Sequence, residues 1–296
     1  MTQFSRRTPA LFIAPFFAVF TFVMVLPIGY AAWMSLFSEK AASGLGFGGT
    51  TTEFTGLGNF AAALTDHAFL AGLGNVALYA AIALPVQIGC ALLLALVLDS
   101  VLARAKKFFQ LTLFLPHAVP VLVAGIVWVL LYTPSLSPLT AALDAVGIHW
   151  DFLGPDGYLA SLVNIVAWEW IGYNMIIFFA ALQALPQETV EATRLDGAGE
   201  IRAAWSVKIP MIRPAVILAV LFSCVGMIQT FTEPFLLYNG GAPEMGNEWS
   251  PMMFIYSAAF ERHDYGLSAA ASLLLAAVAA GLSLLVTRLG RRWENA

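Results

Sequence analysis

Six long apolar stretches, each holding at most one charged side chain, constrain this chain more than any other feature of its sequence. A helix rises about 1.5 Å per residue, so roughly 20 apolar residues cross a hydrocarbon layer of about 30 Å. Backbone in lipid must satisfy its own hydrogen bonds, and the alternation typical of barrel strands is absent, so helices are favoured. We predict spans at residues 11–36, 69–98, 108–132, 159–182, 215–238 and 267–286.

The composition agrees with a membrane protein and excludes several other classes. Apolar residues make up 60% of the 296 residues and charged residues 11%, against about 45–50% and about 25% in soluble domains. The net charge of −4 offers no basic field to nucleic acid. Neither a phosphate-binding GxxxxGK[ST] loop nor an HExxH or GxSxG motif occurs. Cys90 and Cys224 lie in apolar stretches and are expected to pack there.

The positions of lysine and arginine predict the orientation. With the N-terminus in the cytoplasm, 12 of the 14 basic residues lie in cytoplasmic segments, and only Lys40 and Arg262 lie outside. The positive-inside rule therefore favours N-in, C-in topology for a single transmembrane domain over residues 1–296. The cytoplasmic basic residues are Arg6, Arg7, Arg104, Lys106, Lys107, Arg194, Arg202, Lys208, Arg213, Arg288, Arg291 and Arg292.

The cytoplasmic connection between the fourth and fifth spans, residues 186–214, is longer than a simple turn requires. Good helix formers with acidic residues near the start predict a short helix over 187–196, because a helix N-terminus favours negative charge. Gly197 can adopt the positive φ that ends such a helix. A second short helix is predicted over 199–207, and Pro210 then stiffens the approach to the fifth span.

This connection resembles the EAA loop of binding-protein-dependent ABC importer permeases. The family pattern is EAA, three residues, Gly, nine residues and Ile-x-Leu-Pro, and every gap matches; Thr193, Val207 and Ile209 are conservative departures. The resemblance covers nearly the whole chain and is strongest for the maltose and glycerol-phosphate group. Its other elements are Ala14-Pro15, Leu26-Pro27-Ile28, Gly56-Leu57-Gly58-Asn59-Phe60, Phe108-Phe109, Leu115-Pro116 and Gly240-Gly241-Ala242-Pro243.

The resemblance implies an all-α integral membrane protein of the ABC importer permease type, in a bacterial or archaeal membrane. It implies that the loop is a coupling helix seated on a separate ATPase, which binds ATP and Mg²⁺, while this chain binds no cofactor. The implied partners are a second homologous permease, two ATP-binding subunits, an extracytoplasmic solute-binding protein, a carbohydrate and membrane lipid. The implied coupling residues are Glu191, Ala192, Thr193, Asp196, Gly197, Ala198 and Pro210.

Polar side chains inside the fourth and fifth spans point to a solute path, because such groups are costly in lipid. Aromatic rings beside a carboxylate suit a sugar, and the fifth span carries a stripe of small and polar residues. That stripe is alternatively a helix-packing face, Glu233 alternatively sits in interfacial water, and His117 is expected to pack. The predicted path residues are Glu169, Tyr173, Asn174, Ser223, Gln229, Thr230 and Glu233.

The sequence thus predicts a permease subunit of an ATP-driven carbohydrate importer, which is not itself an enzyme. One alternative is an ion-coupled secondary transporter, which predicts paired mid-membrane charges and discontinuous helices. Another is a membrane-embedded enzyme, which predicts clustered His, Asp or Cys. Within the importer class, glycerol-phosphate is the alternative substrate, and the scarcity of basic residues in the spans weighs mildly against it.

Overall fold

The computed structural model describes residues 7–41, 50–100, 105–186, 188–189, 191, 193 and 198–294. The chain folds into two compact units. The first comprises Met1–Leu70 with Phe254–Ala276, and the second comprises Ala71–Met253 with Ala277–Ala296. The predicted single domain over residues 1–296 stays a prediction.

Helices form most of the described chain, and we number them in chain order. The elements up to the middle of the chain are α1 (Arg7–Phe20), α2 (Leu26–Met34), β1 (Phe37–Ala41), β2 (Thr50–Phe54), α3 (Gly58–Thr65), α4 (His67–Asp99), α5 (Lys106–Phe114), α6 (Val121–Tyr132), α7 (Pro138–Ala145) and α8 (Tyr158–Gln183). The remaining helices are α9 (Glu200–Ala203), α10 (Ile209–Met211), α11 (Arg213–Ile228), α12 (Thr232–Asn239), α13 (Pro251–Tyr256) and α14 (Tyr265–Glu294). The π-helical turns are Thr21–Val25, Ala204–Lys208 and Ser257–Glu261, and the 3₁₀ turns are Leu115–Ala118 and Pro243–Met245.

Among the described residues, four helices are long and apolar enough to cross a membrane. They lie close to the predicted first, second, fourth and sixth spans: Phe12–Met34, His67–Asp99, Tyr158–Gln183 and Tyr265–Gly290. Two bent helix pairs also qualify by composition, Lys106–Ala118 with Val121–Tyr132 at 93° and Glu200–Met211 with Arg213–Ile228 at 69°. The chain therefore has up to six crossings if each bent pair is one span.

The third predicted span is not one continuous helix. Instead of running through 108–132, α5 ends before the 3₁₀ turn Leu115–Ala118, and α6 begins after Pro120. The residue before Pro120, Val119, has an extended backbone, with φ −77° and ψ 131°. Proline lacks an N–H and disfavours helical geometry in the residue before it. Pro116 and Pro120, four residues apart, therefore break the helix here.

The fifth predicted span, 215–238, is also broken, at residues 229–231 between α11 and α12. Pro234 cannot donate the N–H that a continuous helix would give to the carbonyl of Thr230. The hydroxyl of the fully buried Ser250 donates to that carbonyl instead, at 2.9 Å. A backbone carbonyl that the break frees within a membrane protein is thereby satisfied.

The first unit contains a β-hairpin that the all-α prediction did not include. Strands β1 and β2 pair antiparallel with Phe37 opposite Phe54, and the two rings lie 5.3 Å apart. Asn59, in the predicted GLGNF element, is buried, and its amide donates to the carbonyls of Ser35 at 2.9 Å and Phe37 at 2.7 Å. Asn59 therefore fastens the start of the hairpin to α3.

Helix α8 is the best-buried of the long helices and organises the second unit. Its N-terminal half packs in an apolar cluster with Tyr79 and Tyr132, and its C-terminal half packs in another with residues of α4 and α11. Helix α5 crosses α8 at Gly172, where a Cβ would overlap the carbonyl oxygen of Leu113. This close approach sets the position of the polar residues on α8.

Candidate functional site

The second unit encloses a cavity of about 550 Å³. Its walls come from α4, the start of α6, one face of α8, and α11 with the break that separates it from α12. A volume of about 300–1,000 Å³ is typical of cavities that bind small molecules. The cavity is thus large enough for a small solute.

All seven predicted path residues line this one cavity. They are Glu169, Tyr173, Asn174, Ser223, Gln229, Thr230 and Glu233. Their convergence is an observation, and their contact with a solute stays a prediction. The alternative of a helix-packing stripe receives no support at Gly226, because a Cβ built there would meet no atom of the described chain within 4 Å.

The cavity is rich in acceptors and holds two carboxyl groups. Glu169 is only 7% exposed, and its Oε2 is buried without a hydrogen-bond partner among the described residues. Glu233 lies in the first turn of α12, where the helix dipole favours a carboxylate. No lysine or arginine belongs to the described lining. A solute with hydroxyl donors would satisfy the buried Glu169 oxygen, whereas an anion would find no cationic partner in the described lining.

Aromatic rings stand beside the carboxylates. Trp170 and Tyr173 line the cavity, with ring centroids 5.6 Å apart and nearly perpendicular planes. His117, in the 3₁₀ turn between α5 and α6, packs its ring 4.7 Å from Trp170 and 4.6 Å from Tyr173. This turn of the broken third span therefore supports the aromatic wall.

Helix α4 contributes polar residues to the cavity that were not predicted from the sequence. Gln87 is buried, lines the cavity, and donates from Nε2 to the hydroxyl oxygen of Ser223 at 3.0 Å. Tyr79, about two helical turns before Gln87 in α4, lines the same cavity. The sequence does contain a signal for Gln87, because an amide in an otherwise apolar span is as costly in lipid as the polar residues predicted for the path.

A second candidate region is the inner connection that resembles an EAA loop. The predicted helix over 199–207 is present as α9 and the π-helical turn Ala204–Lys208, which α10 continues as far as Met211. We call residues 200–211 the coupling segment. A 69° bend separates this segment from α11.

The residues predicted to couple to an ATPase are only partly described. Glu191 and Thr193 are helical, and the Thr193 hydroxyl donates to the Thr189 carbonyl at 2.8 Å. The N–H of Ala198 donates to the Thr193 carbonyl at 3.2 Å, and Pro210 is half-buried within α10. The remaining three, Ala192, Asp196 and Gly197, lie outside the described residues.

The coupling segment has one buried face and one exposed apolar face. Ala203 and Lys208 are buried, whereas Ile201 is 79% exposed and Trp205 is 72% exposed. Ile201 and Trp205 are four residues apart, so they lie on the same side of the segment. Two large apolar side chains that lie exposed side by side are typical of a surface that contacts another protein.

The described residues contain no group of three or more His, Cys, Asp or Glu side chains able to hold a metal ion. The cavity instead offers hydrogen-bonding groups, aromatic rings and two carboxyl groups. That arrangement can bind and pass a solute.

Comparisons with known proteins place these features in context. A profile of the family described as "Binding-protein-dependent transport system inner membrane component" matches residues 87–295. The sn-glycerol-3-phosphate transport system permease protein UgpA of Yersinia pseudotuberculosis serotype I (strain IP32953) is 31% identical over 288 residues, 96% of this chain and 94% of the relative. The probable ABC transporter permease protein YurN of Bacillus subtilis (strain 168) is 29% identical over 290 residues, 96% of each chain.

The fold also matches solved structures. A chain of a bacterial ABC transporter involved in the import of the acidic polysaccharide alginate superposes with a TM-score of 0.82 at 19% identity, covering 97% of this chain and 96% of that one. A bacterial alginate ABC transporter in complex with an alginate pentasaccharide-bound periplasmic protein gives a TM-score of 0.83, also at 19% identity and with the same coverage. At this identity the similarity concerns the fold.

Proposed function

The chain belongs to the family of inner-membrane components of binding-protein-dependent transport systems, and on that premise we propose that it forms half of the path of an ATP-driven importer for an uncharged carbohydrate. Family membership makes it an integral, multi-pass membrane subunit of a transporter and not an enzyme. The observation that carries the proposal is the convergence of seven polar residues, from α8, α11, the break and α12, on one cavity.

The chemistry of the cavity suits a polyhydroxyl solute. Carboxylate oxygens of Glu169 and Glu233 accept hydrogen bonds from hydroxyl groups, and hydrogen bonds to charged acceptors are stronger than neutral ones. The rings of Trp170 and Tyr173 offer the flat apolar faces against which the C–H faces of a sugar ring pack. Gln87, Ser223 and Asn174 supply further donors and acceptors.

Glycerol-phosphate is the second candidate, because the UgpA relatives are named for it. Its phosphate carries up to two negative charges near neutral pH. When ionised, the two carboxyl groups of the cavity would repel that phosphate, and the described lining has no lysine or arginine to offer it a cationic partner. We therefore place an uncharged saccharide ahead of glycerol-phosphate as the substrate.

Transport requires partners that supply the energy. We propose that the coupling segment docks on an ATPase subunit through Ile201 and Trp205, with ATP and Mg²⁺ held by that subunit. A second permease would complete the path, and an extracytoplasmic solute-binding protein would deliver the solute. The basic residues support an N-in, C-in orientation, which puts the coupling segment in the cytoplasm.

The secondary-transporter alternative predicts broken helices, and the third and fifth predicted spans are broken. It also predicts paired acidic or basic residues at mid-membrane, and the described cavity holds two acidic residues, Glu169 and Glu233. The breaks have a local cause in Pro116, Pro120 and Pro234. Membership of the importer family weighs against this alternative.

The proposed substrate is tested by uptake into proteoliposomes that hold the complete importer, with its solute-binding protein and with ATP on the side of the ATPase subunits. Labelled glucose, maltose and raffinose serve as uncharged probes, and sn-glycerol 3-phosphate serves as the anionic probe. We expect ATP-dependent accumulation of at least one saccharide and none of the phosphate. Accumulation of sn-glycerol 3-phosphate alone would establish the second candidate instead.

The proposed docking surface predicts that Trp205→Ala weakens the complex with the ATPase subunit. Loss of one large, exposed aromatic anchor from an interface costs about 2 kcal/mol, or roughly 30-fold in Kd. Titration of the purified ATPase onto the permease in detergent measures the change. Trp150→Ala removes another exposed tryptophan, outside the coupling segment, and should leave the Kd unchanged. Equal affinities for Trp205→Ala and wild type would exclude Trp205 from the surface.

A further inference from the structure

A buried ion pair joins the coupling segment to the inner ends of two long helices. Lys208 is 4% exposed, and its Nζ lies 2.6 Å from Oδ2 of Asp99, the last residue of α4. Gln183, the last residue of α8, donates from Nε2 to Oδ1 of the same carboxylate at 2.7 Å. One carboxylate thus receives donors from two segments that are 109 and 84 residues away in the sequence.

Other residues also contact or surround the Lys208–Asp99 pair. Glu200, at the start of the coupling segment, places Oε2 at 3.6 Å from the same lysine nitrogen. Immediately beside the pair, Leu98, Leu182 and Ile212 are buried in the apolar cluster of α4, α8 and α11. Both side chains of the pair are therefore restrained by their surroundings as well as by each other.

Stability alone does not account for such a pair. Removing a lysine and an aspartate from water is costly, and replacing a buried ion pair by apolar side chains is often neutral or stabilising. A charge-assisted hydrogen bond is, in contrast, short and directional, so it fixes the relative position of the segments that it joins. The pair is therefore best explained by what it connects.

The connection leads to the cavity by a route separate from α11. A 69° bend separates α11 from the coupling segment, so a displacement along the axis of the segment is not directed along the axis of α11. Asp99 and Gln183 instead link the segment to α4 and α8, which contribute Gln87 and Glu169 to the cavity. Two cavity walls are thus tied at their inner ends to the proposed ATPase contact.

We propose that Lys208, Asp99 and Gln183 form a brace that transmits movement of the coupling segment to α4 and α8. They are positioning residues: they touch neither solute nor nucleotide, and they act by keeping three segment ends together while the segment moves. The proposal rests on the proposed function, because it presumes an ATPase that moves the segment. It adds residues that the EAA pattern does not specify to the coupling machinery.

The test uses the complete importer in proteoliposomes and measures the number of saccharide molecules accumulated per ATP hydrolysed. The probe is the saccharide that the wild-type importer accumulates from glucose, maltose and raffinose. The double variant Asp99→Asn with Lys208→Met removes the pair without leaving a buried charge unpaired. We expect this ratio to fall roughly 10-fold, which is within the range by which residues between two sites alter their coupling.

Two further variants separate transmission from folding. Lys208→Arg retains the positive charge and should retain a larger part of the ratio than the double variant. Gln183→Ala changes an exposed side chain, so it should assemble even if the double variant does not, and we expect a roughly threefold lower ratio. Lys107→Met removes an exposed inner-face charge outside the brace and serves as the control with an unchanged ratio.

The outcomes are distinct. A wild-type ratio in the double variant overturns the brace, and a wild-type ratio in Gln183→Ala overturns the route through α8. If the double variant fails to assemble, Gln183→Ala decides. If the wild-type importer itself accumulates no saccharide with ATP, the proposed function fails, and that result is distinguishable because it precedes any comparison of variants.

Discussion

Gly172→Ala is expected to destabilise the protein by about 3 kcal/mol, the upper part of the range for overpacking. The added methyl group would overlap the carbonyl oxygen of Leu113. That oxygen belongs to the backbone of α5, so it cannot swing aside as the end of a flexible side chain can. Thermal unfolding of the detergent-purified protein, with its yield from membranes, measures the effect.

Gly89→Ala is the matched control for this prediction. Gly89 also lies inside a long helix, but a Cβ there would meet no atom of the described chain within 4 Å. Alanine is favoured over glycine in a helix by about 1 kcal/mol, so this variant should be as stable as wild type or slightly more stable. Equal unfolding temperatures for the two variants would show that α5 and α8 are not in close contact at Gly172.

The double variant Glu169→Gln with Glu233→Gln is expected to raise the apparent KM for the transported saccharide about 100-fold. Each hydrogen bond to a charged acceptor contributes about 1.5–3 kcal/mol, and weakening two of them costs about 3 kcal/mol, which is about 100-fold. Uptake kinetics in proteoliposomes measure this change. The neutral variant should also admit sn-glycerol 3-phosphate more readily, because the repelling charges are gone.

Glu244→Gln controls for the loss of negative charge. Glu244 is exposed in the 3₁₀ turn Pro243–Met245, and it does not line the described cavity. Its replacement should leave the KM for the saccharide unchanged. A wild-type KM in the double variant would remove both carboxylates from the solute path.

The membrane character of the chain and much of its cavity were predictable because lipid penalises polar groups so strongly. Four predicted spans agree with helices within a few residues, since an uncharged apolar run of that length has few other stable arrangements. The same penalty singled out Glu169 and Glu233 as residues that need a cavity or a partner. The same penalty applies to Gln87, which was not predicted as a path residue because it lies in a span without the aromatic and carboxylate pattern of the fourth span.

The remaining features depend on interactions between segments far apart in the sequence. The fifth span was predicted as continuous, and the break at 229–231 uses the hydroxyl of Ser250, which is distant in sequence. Asp99 directly follows the second predicted span, and only the structure shows its contacts with Lys208 and Gln183. In the hairpin, β1 and β2 likewise lie on either side of residues 42–49, whose glycines predict turns without specifying strand pairing.

We propose that the chain provides a path for the solute and transmits movement from an ATPase, but supplies no energy itself. The most direct test of this proposal is the concentration of labelled maltose, glucose or raffinose in proteoliposomes, with the chain either alone or joined by its permease partner, ATPase and solute-binding protein. We predict that only the complete assembly with ATP accumulates saccharide above the outside concentration. Accumulation by the chain alone, driven by a proton or sodium gradient, would contradict this account.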